Sequence, residues 1–242
     1  MPKKFDHILL LGRPAAGKSE FIDFMKKTPD AERVRDFHIG KFVELDDFAW
    51  LWEKFLEDNL WEEAGFPRMY SKKDGNNIGL APECGRLFDL MMVKFNKEAK
   101  KYVDDKAFYN DGTLFIEFSR GMDFGYAKSL PMLSKEIFEK AAILYIDVTF
   151  EESWRRNVAR YEEKKKHSIL AHMAPREVMD VFYKENDWKR VTDGKEAGYL
   201  TLKGVKVPFV NMNNEPELKE RGELSARYRP ALAKLMELYG NK

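Results

Sequence analysis

The chain has 242 residues, of which 44% are hydrophobic and 34% charged, so it can bury the core of one α/β domain but is too polar for a membrane protein. Its 42 basic and 41 acidic residues give a net charge of +1, which argues against a surface that holds long polyanions by bulk charge. A single cysteine, Cys84, excludes an internal disulfide and a thiolate zinc cage. No metal site is predicted from the four scattered histidines, which are His7, His38, His167 and His172.

The amino-terminal apolar run covers residues 8–11, which is far shorter than the core of a signal peptide, and it ends at Gly12. No stretch approaches the roughly 18 consecutive apolar residues that a membrane helix needs. We therefore expect a cytoplasmic protein without a membrane span.

Short apolar runs alternate with helical periodicity along the chain. The predicted strands are residues 7–12, 37–45, 113–118, 142–148 and 207–212. The predicted helices are residues 18–27, 48–59, 84–103, 134–142, 150–166, 175–187 and 215–239. Residues 66–82 predict a long loop, and residues 199–207 predict a small hairpin. The alternation predicts an α/β fold with a parallel sheet of about five strands and helices on both faces.

One motif joins the first predicted strand to the first predicted helix. Residues 12–19 match G-x-x-x-x-G-K-[ST] in the strand–loop–helix context that this motif requires. The glycines let successive amides point inward, and the helix N-terminus adds a positive dipole. Lys18 can then reach the β and γ phosphates of a nucleotide, and Ser19 can hold Mg²⁺. The predicted nucleotide-binding residues are Gly12, Arg13, Pro14, Ala15, Ala16, Gly17, Lys18, Ser19 and Glu20.

Through this motif the sequence resembles the P-loop NTPase superfamily, and the form GRPAAGKSE resembles its branch of nucleoside- and nucleotide-kinase-like small-molecule kinases. The resemblance implies ATP as the phosphoryl donor, Mg²⁺ as the cofactor and a small-molecule acceptor. A GTPase would also carry an Asn-Lys-x-Asp motif, which this sequence lacks. The Asn-rich segment at residues 211–214 predicts an ordinary turn, with a contact to adenine as the alternative.

A carboxylate and an arginine lie at the end of the third predicted strand. Glu117 falls where the carboxyl edge of a parallel sheet faces a ligand crevice. Glu117, Ser119 and Arg120 resemble the Glu-Arg-Ser element of deoxynucleoside kinases, and equally the Asp and downstream Arg of nucleoside-monophosphate kinases. The resemblance implies that Glu117 supports the metal and that Arg120 clamps a phosphate or a base-side group. A structural ion pair inside the fold is the alternative.

Asp46 and Asp47 follow the second predicted strand. With Phe48 they resemble the Asp-Asp-Phe of uridine-kinase-like small-molecule kinases, in which an aspartate orients and deprotonates the acceptor hydroxyl. A carboxylate suits that task because it needs only to accept a proton as the new bond forms. Either residue could instead cap the helix that begins at Phe48, and the sequence leaves open which of the two is the base.

The helix predicted from residue 150 carries Arg156 and Arg160 four residues apart, on one face. Its start resembles the lid of nucleotide and nucleoside kinases. The resemblance implies that these arginines close over the phosphates and neutralise charge in the transition state. The lysines at residues 164–166 predict a solvated helix surface.

Aromatic residues crowd the helix predicted at residues 48–59. Their helical spacing favours packing into the core. Trp50 and Trp52, however, cannot lie on the same helix face, so one of them is a candidate to stack on a planar acceptor.

These features predict a single P-loop kinase-like domain over residues 1–242, with an acceptor-binding helical region at about 48–103 and a lid at about 150–190. The predicted reaction transfers the γ-phosphoryl group of ATP to a nucleoside, a nucleotide or a similar hydroxyl compound. Two alternatives stay open. One is a regulatory or assembly ATPase, and the other is a polynucleotide 5′-end kinase, which needs a basic groove that the net charge of +1 does not indicate. The oligomeric state is not predicted.

Overall fold

The computed structural model describes residues 4–75, 77–165 and 173–242. The strands are β1 (His7–Gly12), β2 (Lys41–Asp46), β3 (Ser71–Asp74), β4 (Asn77–Leu80), β5 (Gly112–Phe118), β6 (Ala141–Asp147), β7 (Ala197–Leu202) and β8 (Val205–Asn213). The α-helices are α1 (Lys18–Lys27), α2 (Asp30–Phe37), α3 (Asp47–Glu63), α4 (Leu87–Val103), α5 (Tyr126–Ser129), α6 (Lys135–Lys140), α7 (Phe150–Lys165), α8 (Arg176–Tyr183), α9 (Trp188–Val191) and α10 (Arg221–Gly240). None of the helices in these ranges is both long and apolar enough to cross a bilayer.

The central sheet has the strand order β2-β5-β1-β6-β8-β7. Its first five strands are mutually parallel, and β7 joins the edge antiparallel to β8. The predicted α/β fold with a parallel sheet is confirmed, and the sheet gains one antiparallel strand. That strand arises because the predicted hairpin and the predicted last strand share residues. After the turn at Lys203 and Gly204, both with positive φ, β8 runs on into the core as one strand.

The sheet is covered on both faces, as the continuous apolar runs of its strands require. All six residues of β1 are buried, because this strand lies at the centre of the sheet. On one face the core includes Phe21, from α1, and Leu232, from α10. On the other face it includes Phe95, from α4, and Phe138, from α6. The carboxyl ends of β1, β2, β5 and β6 therefore meet at one edge of a rigid, covered sheet.

Several predicted boundaries differ from the structure. The helix predicted at residues 84–103 begins at Leu87, the helix predicted at 175–187 ends at Tyr183, and the helix predicted at 48–59 spans Asp47–Glu63. The strand predicted at residues 37–45 begins only at Lys41, because Phe37 ends α2 and His38 turns the chain in a left-handed conformation. The helix predicted from residue 215 begins at Arg221. The loop predicted at residues 66–82 contains the hairpin of β3 and β4.

That hairpin was missed because a distant carboxylate organises it. Asp58 of α3 is fully buried and accepts hydrogen bonds from the backbone amides of Met69, Tyr70 and Ser71 at 2.7–2.9 Å. The Ser71 hydroxyl donates to the same carboxylate at 2.7 Å. Charge-assisted bonds of this kind offset the cost of burying Asp58 and attach a polar, lysine-rich strand to α3.

Candidate active site

The phosphate loop lies between β1 and α1, as the motif predicts. Gly12 has φ +149°, and a Cβ there would lie 2.5 Å from the Ile146 carbonyl oxygen. Gly17 has φ +106°, and a Cβ there would lie 2.4 Å from Asn214 Nδ2. Both positions therefore require glycine, for conformation and for space. Gly17 is the N-cap of α1, so the first amides of that helix have no intrahelical partner and are available to an anion.

Side chains from two other elements hold the loop from outside. Asn214, which follows β8, donates to the Ala16 carbonyl oxygen at 2.8 Å. Ser153 of α7 donates to the Pro14 carbonyl oxygen at 2.6 Å. Arg156 of α7 reaches the same Ala16 carbonyl at 3.4 Å. The loop shape therefore depends on α7 and on the end of β8 as well as on its own glycines.

Arg156 is buried and engaged by the protein. Its guanidinium also donates to Glu152 at 2.7 Å and to the Asn214 carbonyl oxygen at 2.5 Å. This arrangement places Arg156 behind the phosphate loop as a support. Arg160, one turn later, is exposed. Its guanidinium is close enough to interact electrostatically with the charged groups of Lys18, Glu20 and Glu117.

Arg13 is also bound to the protein. It donates to three backbone carbonyl oxygens, those of Val148, Tyr183 and Lys184, at 2.9–3.3 Å. These bonds join the phosphate loop to the ends of β6 and α8. Ser19 and Glu20 lie exposed in the first turn of α1.

The Lys18 ammonium group is buried at the centre of the site. It donates to the carbonyl oxygens of Gly12 and Arg13 at 3.3 and 3.0 Å and to the Ser119 hydroxyl at 2.7 Å. Its Nζ lies 3.9 Å from Glu117 Oε1, which is too long for a hydrogen bond. Burial lowers the pKa of Lys18, and the carboxylates of Glu117, Asp46 and Asp47 oppose that shift. A buried cation held by neutral groups suits an incoming phosphate.

Two of the predicted carboxylates are neighbours on the sheet edge. Asp46 pairs with Glu117 in the register of β2 and β5. Burial raises the pKa of Glu117 to about 7 despite the opposing attraction of Lys18. Burial, together with repulsion from Asp47, raises the pKa of Asp46 to about 6. Both groups therefore titrate close to neutral pH, as groups that exchange protons or bind cations at functional sites do.

Asp46 and Asp47 have different surroundings. Asp46 caps α3, since its Oδ1 accepts a hydrogen bond from the Phe48 amide at 2.9 Å. Its second carboxylate oxygen is not used by this cap. Asp47 is buried and forms an ion pair with Arg120, with 2.6 Å between Oδ2 and Nη1. Burial raises the pKa of Asp47, and the Arg120 guanidinium opposes that shift. Asp46 thus combines capping with an open position at the site.

Arg120 is almost completely enclosed. Its side chain is 0% exposed, its guanidinium lies 4.7 and 4.9 Å from the ring centroids of Phe88 and Phe118, and it donates to the Phe88 carbonyl oxygen at 3.3 Å. Its Nε has no hydrogen-bond partner. The structure therefore favours the ion-pair alternative for Arg120 over a clamp that moves onto a ligand.

The two tryptophans of α3 have different ring partners, although both pack against the apolar cluster that contains Phe55 and Phe182. Trp50 packs against Phe95 of α4, with 5.0 Å between ring centroids. Trp52 stacks on the half-exposed ring of Phe48 at 6.1 Å and meets the cluster around Phe55 and Phe182. Trp50 is half-buried between two apolar clusters, and Trp52 with Phe48 keeps the candidate role at the acceptor side.

No group of three or more His, Cys, Asp or Glu side chains in residues 4–75, 77–165 and 173–242 is arranged to hold a metal ion. Mg²⁺ in nucleotide sites commonly binds through one or two protein groups plus phosphate oxygens, so a protein cage is not required. Ser19, which follows Lys18 in the first turn of α1, and Glu117, whose Oε1 lies 3.9 Å from Lys18 Nζ, carry oxygen atoms of the kind that Mg²⁺ binds. The predicted lid, at about residues 150–190, includes residues 166–172, which lie outside the described residues. Lys166, His167 and His172 belong to that segment.

Three residues outside the predicted set contribute to the site. Ser119 binds Lys18, and Asn214 and Ser153 hold the phosphate loop. Ser119 and Asn214 follow the ends of parallel strands, where polar residues collect at the ligand edge, and that position was the available signal. Ser153 gave no signal, because it is one polar residue among many on a charged helix.

No protein-family model matches the chain, and no curated protein matches it. Among solved structures, a gluconokinase from Sinorhizobium meliloti has a TM-score of 0.47 and 13% identity, over 99% of both chains. A shikimate kinase from Acinetobacter baumannii in complex with shikimate has a TM-score of 0.42 and 13% identity, over 99% of this chain and 96% of that one. A sugar kinase from Janibacter has a TM-score of 0.40 and 12% identity, over 98% of both. These identities and TM-scores are too low to assign the substrate of any of these proteins, or the role of any of their residues, to this chain.

Proposed function

We propose that this protein is an ATP-dependent kinase that transfers the γ-phosphoryl group of ATP to a hydroxyl group of a small molecule. One observation carries the proposal. The lysine of a phosphate loop lies beside Glu117, with Asp46 next to Glu117 on the same sheet edge. This arrangement supplies a cation for the donor phosphates and a proton acceptor within one crevice.

On the donor side, the amides of residues 12–19 and the Lys18 ammonium group bind the triphosphate. Ser19 and Glu117 would hold Mg²⁺, which when bound neutralises charge on the phosphates. Arg160 is exposed and near Lys18 and Glu117, so it is the arginine of α7 that can close over the phosphates. Arg156 keeps the loop in shape.

On the acceptor side, Asp46 is the proposed base. The acceptor oxygen forms a bond to the γ-phosphorus, the bond from that phosphorus to the bridging oxygen of ADP breaks, and the hydroxyl proton passes to Asp46. A pKa of about 6 suits this role, because the carboxylate is ionised at neutral pH and still accepts a proton readily. Asp47 is less suited, since Arg120 already occupies its Oδ2.

The proposed acceptor carries a hydroxyl group and no phosphate. Arg120, the arginine that follows β5, is enclosed by Phe88 and Phe118 and paired with Asp47, so it cannot grip an anion without breaking a buried ion pair. Within the sequence-based range of acceptors, this favours nucleosides, sugars and related polyols over nucleoside monophosphates. The acceptor-binding region at about 48–103 and the lid at about 150–190 remain part of this proposal.

The decisive experiment measures ADP release from MgATP with a panel of nucleosides, nucleoside monophosphates, sugars and sugar acids. We expect one class of hydroxyl compound to stimulate ADP release strongly. Lys18→Ala should lower turnover about 100- to 1,000-fold, because it removes a preorganised cation from the transferring phosphoryl group. Stimulation by a protein alone would favour the regulatory ATPase, and labelling of a 5′-hydroxyl oligonucleotide would favour the polynucleotide kinase.

A further inference from the structure

Exposed apolar side chains concentrate on one part of this protein. Of ten large hydrophobic side chains that are exposed within the described residues, eight fall between residues 48 and 93. Six of these lie on α3 and α4. Apart from Phe48 and Trp61 they are four aliphatic side chains, of which Leu56 is 46% exposed, Leu60 65%, Leu90 51% and Val93 55%. Such a concentration on paired helices marks an interaction surface more often than chance exposure does.

The four side chains belong to one surface because α3 and α4 are neighbours. Lys94 Nζ of α4 lies 4.0 Å from Glu53 Oε2 of α3 and 4.6 Å from the ring centroid of Trp50. Leu56 lies one turn after Glu53, and Leu90 lies one turn before Lys94. We call the exposed surface formed by Leu56, Leu60, Leu90 and Val93, with the charged residues that flank them, the α3–α4 face.

The two helices of this face have opposite charge. Apart from the buried Asp47 and Asp58, helix α3 carries four glutamates and one lysine, whereas α4 carries four lysines and two acidic residues. Several of these charges pair locally, as Lys54 does with Glu57 and Lys101 with Glu98. Glu63 at the end of α3 and Lys97 on α4 are exposed, and neither forms a salt bridge with another described residue. The face therefore presents apolar side chains between an acidic helix and a basic helix.

We propose that a second copy of this chain docks on the α3–α4 face. A two-fold axis through the seam between the helices would place α3 of each copy against α4 of the other. Each acidic helix then meets a basic helix, and leucines meet leucines at the centre. A surface that carries both complementary halves suits an isologous dimer, in which the same patch serves on both sides. Each helix has 17 residues and is about 25 Å long, which is long enough for a dimer interface.

The two helices of the α3–α4 face also contribute residues to the acceptor side of the site. Helix α3 begins at the Asp46 cap, and α4 supplies the Phe88 carbonyl oxygen that binds Arg120. Dimerisation would hold together the two helices that position Asp46 and the Asp47–Arg120 pair. The proposed dimer does not depend on the proposed kinase reaction.

The first test is sedimentation velocity of the full chain over concentrations up to about 100 µM. We expect the mass of a dimer for the wild type. Leu60→Glu should raise the dissociation constant at least tenfold, because it places an unpaired charge in an apolar contact. The matched control is Val181→Glu, a comparably exposed position on α8, which should leave the dimer unchanged. A wild type that stays monomeric throughout this range overturns the proposal, and so does a dimer that Leu60→Glu leaves intact.

The second test examines charge complementarity. Lys97→Glu and Glu63→Lys should each weaken the dimer, because each reduces the opposite charge of the two facing helices. Both positions are exposed, so the variants should fold, and circular dichroism with thermal unfolding checks this. A dissociation constant that either variant leaves unchanged contradicts the proposed arrangement.

Discussion

The two ends of the central sheet both bury titratable side chains but treat them differently. At the amino end, His7 is fully buried, with Nδ1 3.0 Å from the Ile137 carbonyl oxygen and Nε2 2.7 Å from the Tyr109 hydroxyl. The carbonyl can only accept, so Nδ1 carries the proton and Nε2 accepts from Tyr109. At the carboxyl end, Lys18 and Glu117 lie 3.9 Å apart without a direct hydrogen bond. At the amino end both ring nitrogens of His7 have hydrogen-bond partners within the protein, whereas at the carboxyl end Lys18 and Glu117 are charged groups available to the proposed ligand.

The pKa shifts express the same contrast. Burial lowers the pKa of His7 to about 3, so this side chain stays neutral throughout the physiological range. Burial raises the pKa of Glu117 to about 7 and that of Asp46 to about 6, so these groups can exchange protons near neutral pH. A buried group that contributes stability has a settled protonation state, whereas a buried group that works on a substrate is held near its titration point.

Asp46→Asn should cause the largest change in activity. We expect turnover to fall about 100- to 10,000-fold, because the variant lacks the proposed base for the hydroxyl proton. Asparagine caps helices about as well as aspartate, so the fold should be retained. Steady-state kinetics with the stimulating acceptor, alongside thermal unfolding, measures both effects. Turnover within tenfold of wild type would show that Asp46 is not the base.

Asp47→Asn should act mainly on stability. The variant leaves the Arg120 guanidinium buried without its anionic partner, which costs about 3–5 kcal/mol of unfolding free energy. Urea denaturation measures this loss, and turnover of the folded fraction should fall less than in Asp46→Asn. If the two variants exchange these effects, the roles proposed for the two aspartates are reversed.

His7→Gln should remove a pH dependence of stability from the amino end. The pKa of His7 is lower in the folded state than in the unfolded chain, so its contribution is present above about pH 6.5 and is lost as the pH falls toward 3. At pH 5 the wild type should therefore have lost about 2 kcal/mol relative to pH 8 through this residue. Urea denaturation at both pH values checks this, since the variant should show a correspondingly smaller loss. An equal loss in both proteins would contradict the assignment.

Arg160→Ala and Arg156→Ala form a matched pair one helical turn apart, with the smallest expected effects. Arg160→Ala should lower turnover about tenfold and leave the unfolding free energy within about 0.5 kcal/mol, because this side chain is exposed. Arg156→Ala should lower the unfolding free energy by about 1–3 kcal/mol, because buried carbonyls of Ala16 and Asn214 lose a charged donor. Thermal unfolding and kinetics on both variants separate the roles. A loss of stability in Arg160→Ala but not in Arg156→Ala would contradict the two roles.

The donor half of the site could be predicted far better than the acceptor half. Gly12, Gly17, Lys18 and Ser19 lie within eight residues, and the conformation of such a short loop follows from the positive φ of its glycines. The acceptor side depends on Asp46, Asp47 and Arg120, and the last two are separated by 73 residues. A sequence pattern identifies such residues as candidates, but only their contacts decide which is buried and which is free.

The sequence by itself determined the α/β alternation, the central apolar strand β1 and the phosphate loop, because hydrophobic period, glycine conformation and motif spacing act over a few neighbouring residues. Only the tertiary structure decided that Arg120 is enclosed, that Arg156 supports the loop from behind and that Asn214 holds Ala16. Those outcomes depend on hydrogen bonds and burial between residues far apart in the chain. The ordering of residues along the sequence does not specify which distant partner each polar group finds.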